Sequence, residues 1–163
     1  MPDEPTVIRA TPADLAVVKA TRLRALEDAP YAFASTLERE QILADDEWRS
    51  RIASGAWFLA YRGRRPVGIV AAFTEDGQPR QRRLVSMWVE SAERGGPIAG
   101  DLVEAVISWA GEQEAYAVTL WTADGNARAR RLYERLGFVS TGRRKSLPSD
   151  PSLGAQELIR RLG

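Results

Sequence analysis

The chain has 163 residues, 44% hydrophobic and 28% charged, the composition of one domain able to bury its own core. It contains neither cysteine nor histidine. Disulfides, thiolate nucleophiles, thiolate metal sites, Ser-His triads and imidazole bases are therefore excluded together, and no metal site is expected. Lys plus Arg number 23 against 22 Asp plus Glu, a balance that argues against bulk nucleic-acid binding. No run of about 18 apolar residues marks a membrane span, and the acidic Met1-Pro2-Asp3-Glu4-Pro5 start is unlike a signal sequence. A cytoplasmic protein is expected, folded as a single domain over residues 1–163.

Thr6 to Arg9 reads as a first strand. Thr11-Pro12-Ala13-Asp14 then reads as a helix cap with proline in the first turn. The helix that follows carries Leu15, Val18, Leu23 and Leu26 and stops near Pro30. Ala32 to Thr36 is a small-residue loop, and a second helix runs from about Asp45 to Ala53, with Trp48 and Ile52 on one face. Trp57 to Tyr61 and Pro66 to Phe73 flank the turn Arg62-Gly63-Arg64-Arg65 as a hairpin. A second turn at Glu75–Pro79 leads to a strand from Arg83 to Val89. Ile98, Leu102, Val106 and Trp109 share one face of the next helix. Tyr116 to Trp121 is a buried strand, Asn126 to Leu136 a helix closed by Gly137, and Phe138–Gly142 and Gln156–Leu162 complete the sheet. Hairpins followed by a strand–helix–strand–helix–strand tail predict an α+β (mixed α/β) fold.

Between Val89 and the third long helix lies Ser91-Ala92-Glu93-Arg94-Gly95-Gly96. A strand, a glycine-rich turn and a helix start together build an anion site: small residues expose backbone amides, and the positive end of the helix dipole faces the ligand. Arg94 adds a cation at its mouth. Downstream, Asn126-x-x-Ala129-x-x-Leu132-Tyr133-x-x-x-Gly137-Phe138 follows the strand Thr119-Leu120-Trp121. Together with Arg94-Gly95-Gly96-Pro97-Ile98-Ala99, this segment resembles the GNAT superfamily of acyl-CoA-dependent N-acetyltransferases. The resemblance is strongest from Leu84 to Gly142. It implies a central, mostly antiparallel twisted sheet of about seven strands flanked by about four helices.

The resemblance also implies a cosubstrate, acetyl-CoA, and places residues around it. Arg94, Gly95, Gly96, Ile98, Ala99 and Gly100 match the turn that holds the pyrophosphate through backbone amides. Pro97 departs from that pattern, because proline stands where a second glycine is usual and carries no N–H. Met87, Trp88 and Val89 match the strand whose main chain pairs with the pantetheine arm. Asn126 matches a contact to that arm, although asparagine is also a favoured helix cap. Arg130 or Arg131 is placed to reach the adenosine phosphates. Tyr133 matches the tyrosine that protonates the departing thiolate, a role open to a phenol that is neutral at pH 7.

The implied reaction is direct attack of a primary amine on the thioester in a ternary complex. The Val89 backbone N–H is the candidate oxyanion donor, and a carboxylate acting through water takes the ammonium proton. Glu38, Glu40 and Glu90 are the candidates, Glu38 foremost. The loop Pro30–Thr36 with Trp48, Trp57 and Phe73 is a candidate wall for a small-molecule amine, a protein N-terminus or a lysine. A homodimer is compatible with the pattern. The competing class is a non-catalytic acyl-CoA-binding sensor or scaffold, motivated by Pro97 and the lack of an evident base.

Overall fold

The computed structural model describes residues 4–30, 35–147 and 150–163. In chain order the elements are β1 (Pro5–Arg9), α1 (Leu15–Asp28), α2 (Leu37–Gln41), α3 (Asp45–Ser54), β2 (Ala56–Arg62), β3 (Arg65–Glu75), β4 (Gln78–Val89), α4 (Ile98–Glu112), β5 (Ala117–Ala123), α5 (Ala127–Arg135), β6 (Val139–Leu147) and β7 (Asp150–Arg161). The strands form one seven-stranded sheet in the order β1-β2-β3-β4-β5-β7-β6. Every neighbouring pair is antiparallel except β4 and β5. The α+β expectation and the mostly antiparallel sheet therefore hold.

The differences are local. The short helix α2 was not foreseen; its start is capped by the Thr36 hydroxyl, which accepts from the Arg39 amide at 3.3 Å. Strand β4 begins at Gln78 rather than Arg83, and β6 and β7 extend into a longer hairpin than their apolar residues indicate. The added residues are mostly polar and exposed, with Arg82 and Ala155 buried, so ladder hydrogen bonds more than burial define them.

Each face of the sheet carries its own apolar layer. On one, Ile98, Leu102 and Val106 of α4 pack against Val70, Leu120 and Phe138. On the other, Leu26 of α1 and Trp48 and Ile52 of α3 cover Trp57, Leu59 and Ile69. Trp48 and Trp57 are fully enclosed there, ring against ring at 6.5 Å, with Phe73 edge-on to Trp57 at 6.1 Å. These aromatics are core and not a pocket wall. Glu40 is buried too, gripped by both Arg22 nitrogens at 2.9 Å, and so ties α2 to α1. Removing one partner of such a pair costs about 3–5 kcal/mol. Its role is structural, and it is not a base.

One irregularity shapes the site. Val85 pairs with Ala71 and Trp88 with Ile69, so Ser86 and Met87 both stand opposite Val70. This is a β-bulge, and Ser86 takes a positive φ of 60° to make it. Val85 and Trp88, three apart, consequently share the α1 face, whereas Leu84 and Met87 share the α4 face. Beyond the three parallel pairs Gln81–Ala117, Arg82–Val118 and Arg83–Thr119, β4 and β5 separate.

Candidate active site

The separation of β4 and β5 opens a groove of about 850 Å³. Met87, Trp88 and Val89 form one wall, with Arg94, Gly95, Gly96 and Ala99 at one end. Trp121, Asn126 and Tyr133 come from the far side. The Glu90 amide bonds the Val67 carbonyl at 2.8 Å across the Gly68–Val89 pair. In an antiparallel ladder that makes Gly68–Val89 a non-hydrogen-bonded pair, so the N–H and C=O of Val89 point away from β3 toward the groove.

The turn before α4 is a cradle of donors. Gly95 sits at φ 85°, a left-handed geometry suited to glycine. The first helical bond of α4 runs from the Asp101 amide to the Pro97 carbonyl, at 2.9 Å. The amides of Ile98, Ala99 and Gly100 therefore have no acceptor inside the helix, and the dipole of this 15-residue helix adds to them. Pro97 sits at φ −79° and ψ −14°, a helical conformation that its ring favours. The Ile98 side chain is buried beneath the turn, so only its backbone faces an anion. Neither Ile98 nor Gly100 lines the groove with a side chain; each offers only its unpaired amide at the start of α4.

Arg94 is held at the mouth by two acceptors. Its Nε donates to the Val89 carbonyl at 3.0 Å, and Nη2 donates to Asp28 Oδ2 at 2.7 Å. The indole Nε1 of Trp88 donates to the same Asp28 oxygen at 2.9 Å. The Trp88 hydrogen bond first, and then Arg94, holds the Asp28 carboxyl below its usual range. Asp28 had no sequence signal as a site residue.

Helix α5 brings a second set of cations. Arg130 pairs with Glu134 at 2.6 Å and faces away from the groove. Arg128, Arg131 and Arg135 line the groove instead, and none has an ion-pair partner among the described residues. Of the pair Arg130 and Arg131 it is Arg131 that lines the groove, and Arg128 and Arg135, three and four residues away, share its helix face. Asn126 caps α5, its side chain accepting from the Ala129 amide at 3.2 Å while it lines the groove.

Tyr133 is 6% exposed, its ring edge-on to Phe138 at 5.7 Å. No described residue bonds its hydroxyl. Burial pushes the phenol well above its ordinary value, so it stays protonated. Among the carboxylates, Glu90 is taken by Arg24 at 2.7 Å and by Arg65. Glu38 is exposed on α2, carries no ion pair among the described residues and does not line the groove, so the structure does not bring it to the site. Of the loop Pro30–Thr36, residues 31–34 lie outside the described residues.

Residues 20–138 match the family model "Acetyltransferase (GNAT) family". The chain belongs to the GNAT acetyltransferase family. The rat proteins N-acetyltransferase 8F1 and N-acetyltransferase family 8 member 2 (Rattus norvegicus) are each 37% identical, over 95 and 93 residues. Those matches take in 56% and 55% of this chain but 43% and 41% of the relatives, so the chain spans less than half their length. In fold, the chain is similar to a GNAT acetyltransferase from Streptococcus pneumoniae, with a TM-score of 0.82 and 19% identity over 98% of this chain and 100% of that one. It is also similar to the Salmonella typhimurium protein yncA, solved with its cofactor acetyl-CoA, with a TM-score of 0.77 and 16% identity over 99% and 95% of the two chains. No helix among the described residues is long and apolar enough to cross a membrane.

Proposed function

We propose that this GNAT-family chain transfers an acetyl group from acetyl-CoA to a primary amine by direct attack within a ternary complex. The observation that carries the reading is the groove itself. An amide cradle at the start of α4, an unpaired stretch of β4 and a buried neutral tyrosine all face one cleft. When bound, acetyl-CoA supplies a preactivated acyl group, which suits a chain without His or Cys. The amides of Ile98, Ala99 and Gly100 with Arg94 hold the diphosphate, and Arg128, Arg131 and Arg135 offer charge to its remaining phosphate. The main chain from Met87 to Val89 binds the extended arm as an added strand would, and the Val89 N–H donates to the developing oxyanion. Tyr133 donates its phenolic proton to the leaving sulfur. Glu38 lies outside the groove, so the ammonium proton passes to solvent water.

The alternative is an acyl-CoA-binding sensor or scaffold, favoured by the amide that Pro97 removes from the cradle and by the absence of Glu38, Glu40 and Glu90 from the groove lining. Thermal melting with acetyl-CoA, followed by thiol release over an amine panel, separates the two. The enzyme shows a raised Tm and amine-dependent thiol. A raised Tm without thiol release from any amine identifies the sensor. No shift at saturating acetyl-CoA overturns both.

A further inference from the structure

The groove closes where Arg83 and Thr119 make the last parallel pair of β4 and β5. On the sheet face opposite α4, that closed end carries a cationic floor that the proposed acetyl transfer leaves unused. The Trp121 ring, which lines the groove, has the Lys145 ammonium 4.4 Å from its centroid and the Arg83 and Arg143 guanidinium groups at 5.6 and 5.8 Å. Glu157, cross-strand from Trp121 and 3% exposed, accepts from Arg83 at 2.9 Å, from Thr141 at 2.9 Å and from Arg143 at 3.3 Å. Glu75 accepts from the same Arg83 nitrogen, Nη2, at 2.5 Å.

Three cations thus face two carboxylates, and the surplus charge sits on Lys145, which is exposed and has no carboxylate within ion-pair distance among the described residues. Beneath it, Arg83 Nη1 and Thr119 Oγ1 are both buried without a hydrogen-bond partner, on neighbouring strands in register. Unsatisfied buried polar atoms are uncommon, and these two lie on the same pair of strands that bounds the closed end of the groove. Desolvation, and then the Arg83 charge, also hold the Lys145 ammonium below its usual pKa, a cost that a bound anion relieves. Glu40 and Glu90, which sequence alone offers as bases, are already paired with arginines and leave no free carboxylate there for a cationic group.

We propose that the acceptor is an amine bearing a carboxylate, as an α-amino acid does, and that Lys145 and Arg143 hold that carboxylate over Trp121 at the closed end of the groove. One surplus positive charge matches one carboxylate, and a guanidinium beside an ammonium suits its planar, two-oxygen geometry. The inference rests on the acetyl-transfer reading, because Trp121 lines the same groove as Val89 and Tyr133, which that chemistry uses.

Matched probes test it: L-phenylalanine against 2-phenylethylamine, and L-leucine against 3-methylbutylamine. Each is titrated calorimetrically into the CoA-bound protein and assayed for kcat/KM with acetyl-CoA. The amino acids bind and react about tenfold better or more than the decarboxylated amines. Lys145→Gln and Arg143→Gln, both at exposed positions, each shrink that preference, while a retained acetyl-CoA melting shift shows the variants folded. Equal use of the decarboxylated amines overturns the inference and leaves the acetyltransferase standing, as does a preference that survives both substitutions. If wild-type protein gives no acetyl-CoA shift, the transferase reading falls and takes this inference with it.

Discussion

Arg94 Nη2 donates to Asp28 Oδ2 at 2.7 Å, joining the turn before α4 to the C-terminal end of α1. The contact aims a flexible cation at the groove mouth before any anion arrives, which reduces the ordering cost of binding. Arg94→Ala removes the cation and raises the acetyl-CoA Kd about tenfold, with little change in kcat. Asp28→Ala, which only loosens Arg94, has a smaller effect. The double variant binds no worse than Arg94→Ala alone, because Asp28 acts on the cofactor through Arg94. Calorimetric titration of the four proteins checks this; additive losses would show that Asp28 acts independently.

Tyr133→Phe keeps the ring against Phe138 and removes only the proton donor. It lowers kcat about 100-fold while leaving the acetyl-CoA melting shift intact. Burial raises the folded-state pKa of the phenol, so its linkage to stability has a definite sign. Below about pH 10 the phenol is protonated in both states, and its contribution is fully present. Above about pH 10 the unfolded chain loses the proton while the folded chain keeps it, so wild-type stability falls. The Phe variant lacks that loss. Denaturation midpoints at pH 8 and above pH 10 should show a steeper decline for wild type than for the variant, which keeps only the smaller loss from the raised Tyr61 phenol.

Arg131→Gln and Arg135→Gln each weaken acetyl-CoA binding about threefold to tenfold and flatten its dependence on salt, since each removes an unpaired charge on the groove lip. The 3′-dephospho form of acetyl-CoA binds wild type and both variants alike. Arg130→Gln, which loses only the Glu134 pair, leaves both affinities unchanged. A uniform loss for both ligands would place these arginines on the diphosphate instead.

Ser86 stands at φ 60° in the bulge that parts β4 from β5. A branched side chain is strained there, and Ser86→Val destabilises the fold by about 1–3 kcal/mol in urea denaturation. Ser86→Gly relieves the backbone but loosens the unfolded chain, so its stability changes by less than about 1 kcal/mol. The Val variant also narrows the groove by drawing β4 back toward regular pairing, which weakens acetyl-CoA binding.

Elements with a burial period or a turn signal were legible in the sequence. The spacing of Ile98, Leu102 and Val106 marked α4, and Arg62-Gly63-Arg64-Arg65 marked the β2–β3 hairpin. The glycine pair after Arg94 marked the cradle. Ser86 was not legible, because a bulge in a strand without glycine leaves no compositional trace. The Trp48 and Trp57 rings could not be divided between core and pocket, since helix spacing alone does not say what covers a face. Glu40 looked like a surface carboxylate because its partner, Arg22, lies 18 residues away and meets it only through the packing of α1 on α2. The cationic floor likewise depends on β7 lying between β5 and β6, an order that brings Trp121, Glu157 and Lys145 together from three strands.

Pro97 is where the cradle departs from its glycine pattern, and its cost can be measured. Its ring fits the conformation at the start of α4, so Pro97→Gly gives up backbone rigidity and destabilises the fold by about 1 kcal/mol or less. The same change restores an N–H in the turn, one residue before the three unpaired amides at Ile98, Ala99 and Gly100. One more charge-assisted hydrogen bond tightens acetyl-CoA about threefold to tenfold. Lower Tm without ligand combined with a larger acetyl-CoA shift is therefore the expected signature. An unchanged shift would mean that the fourth amide points away from the diphosphate and that the three amides with Arg94 suffice.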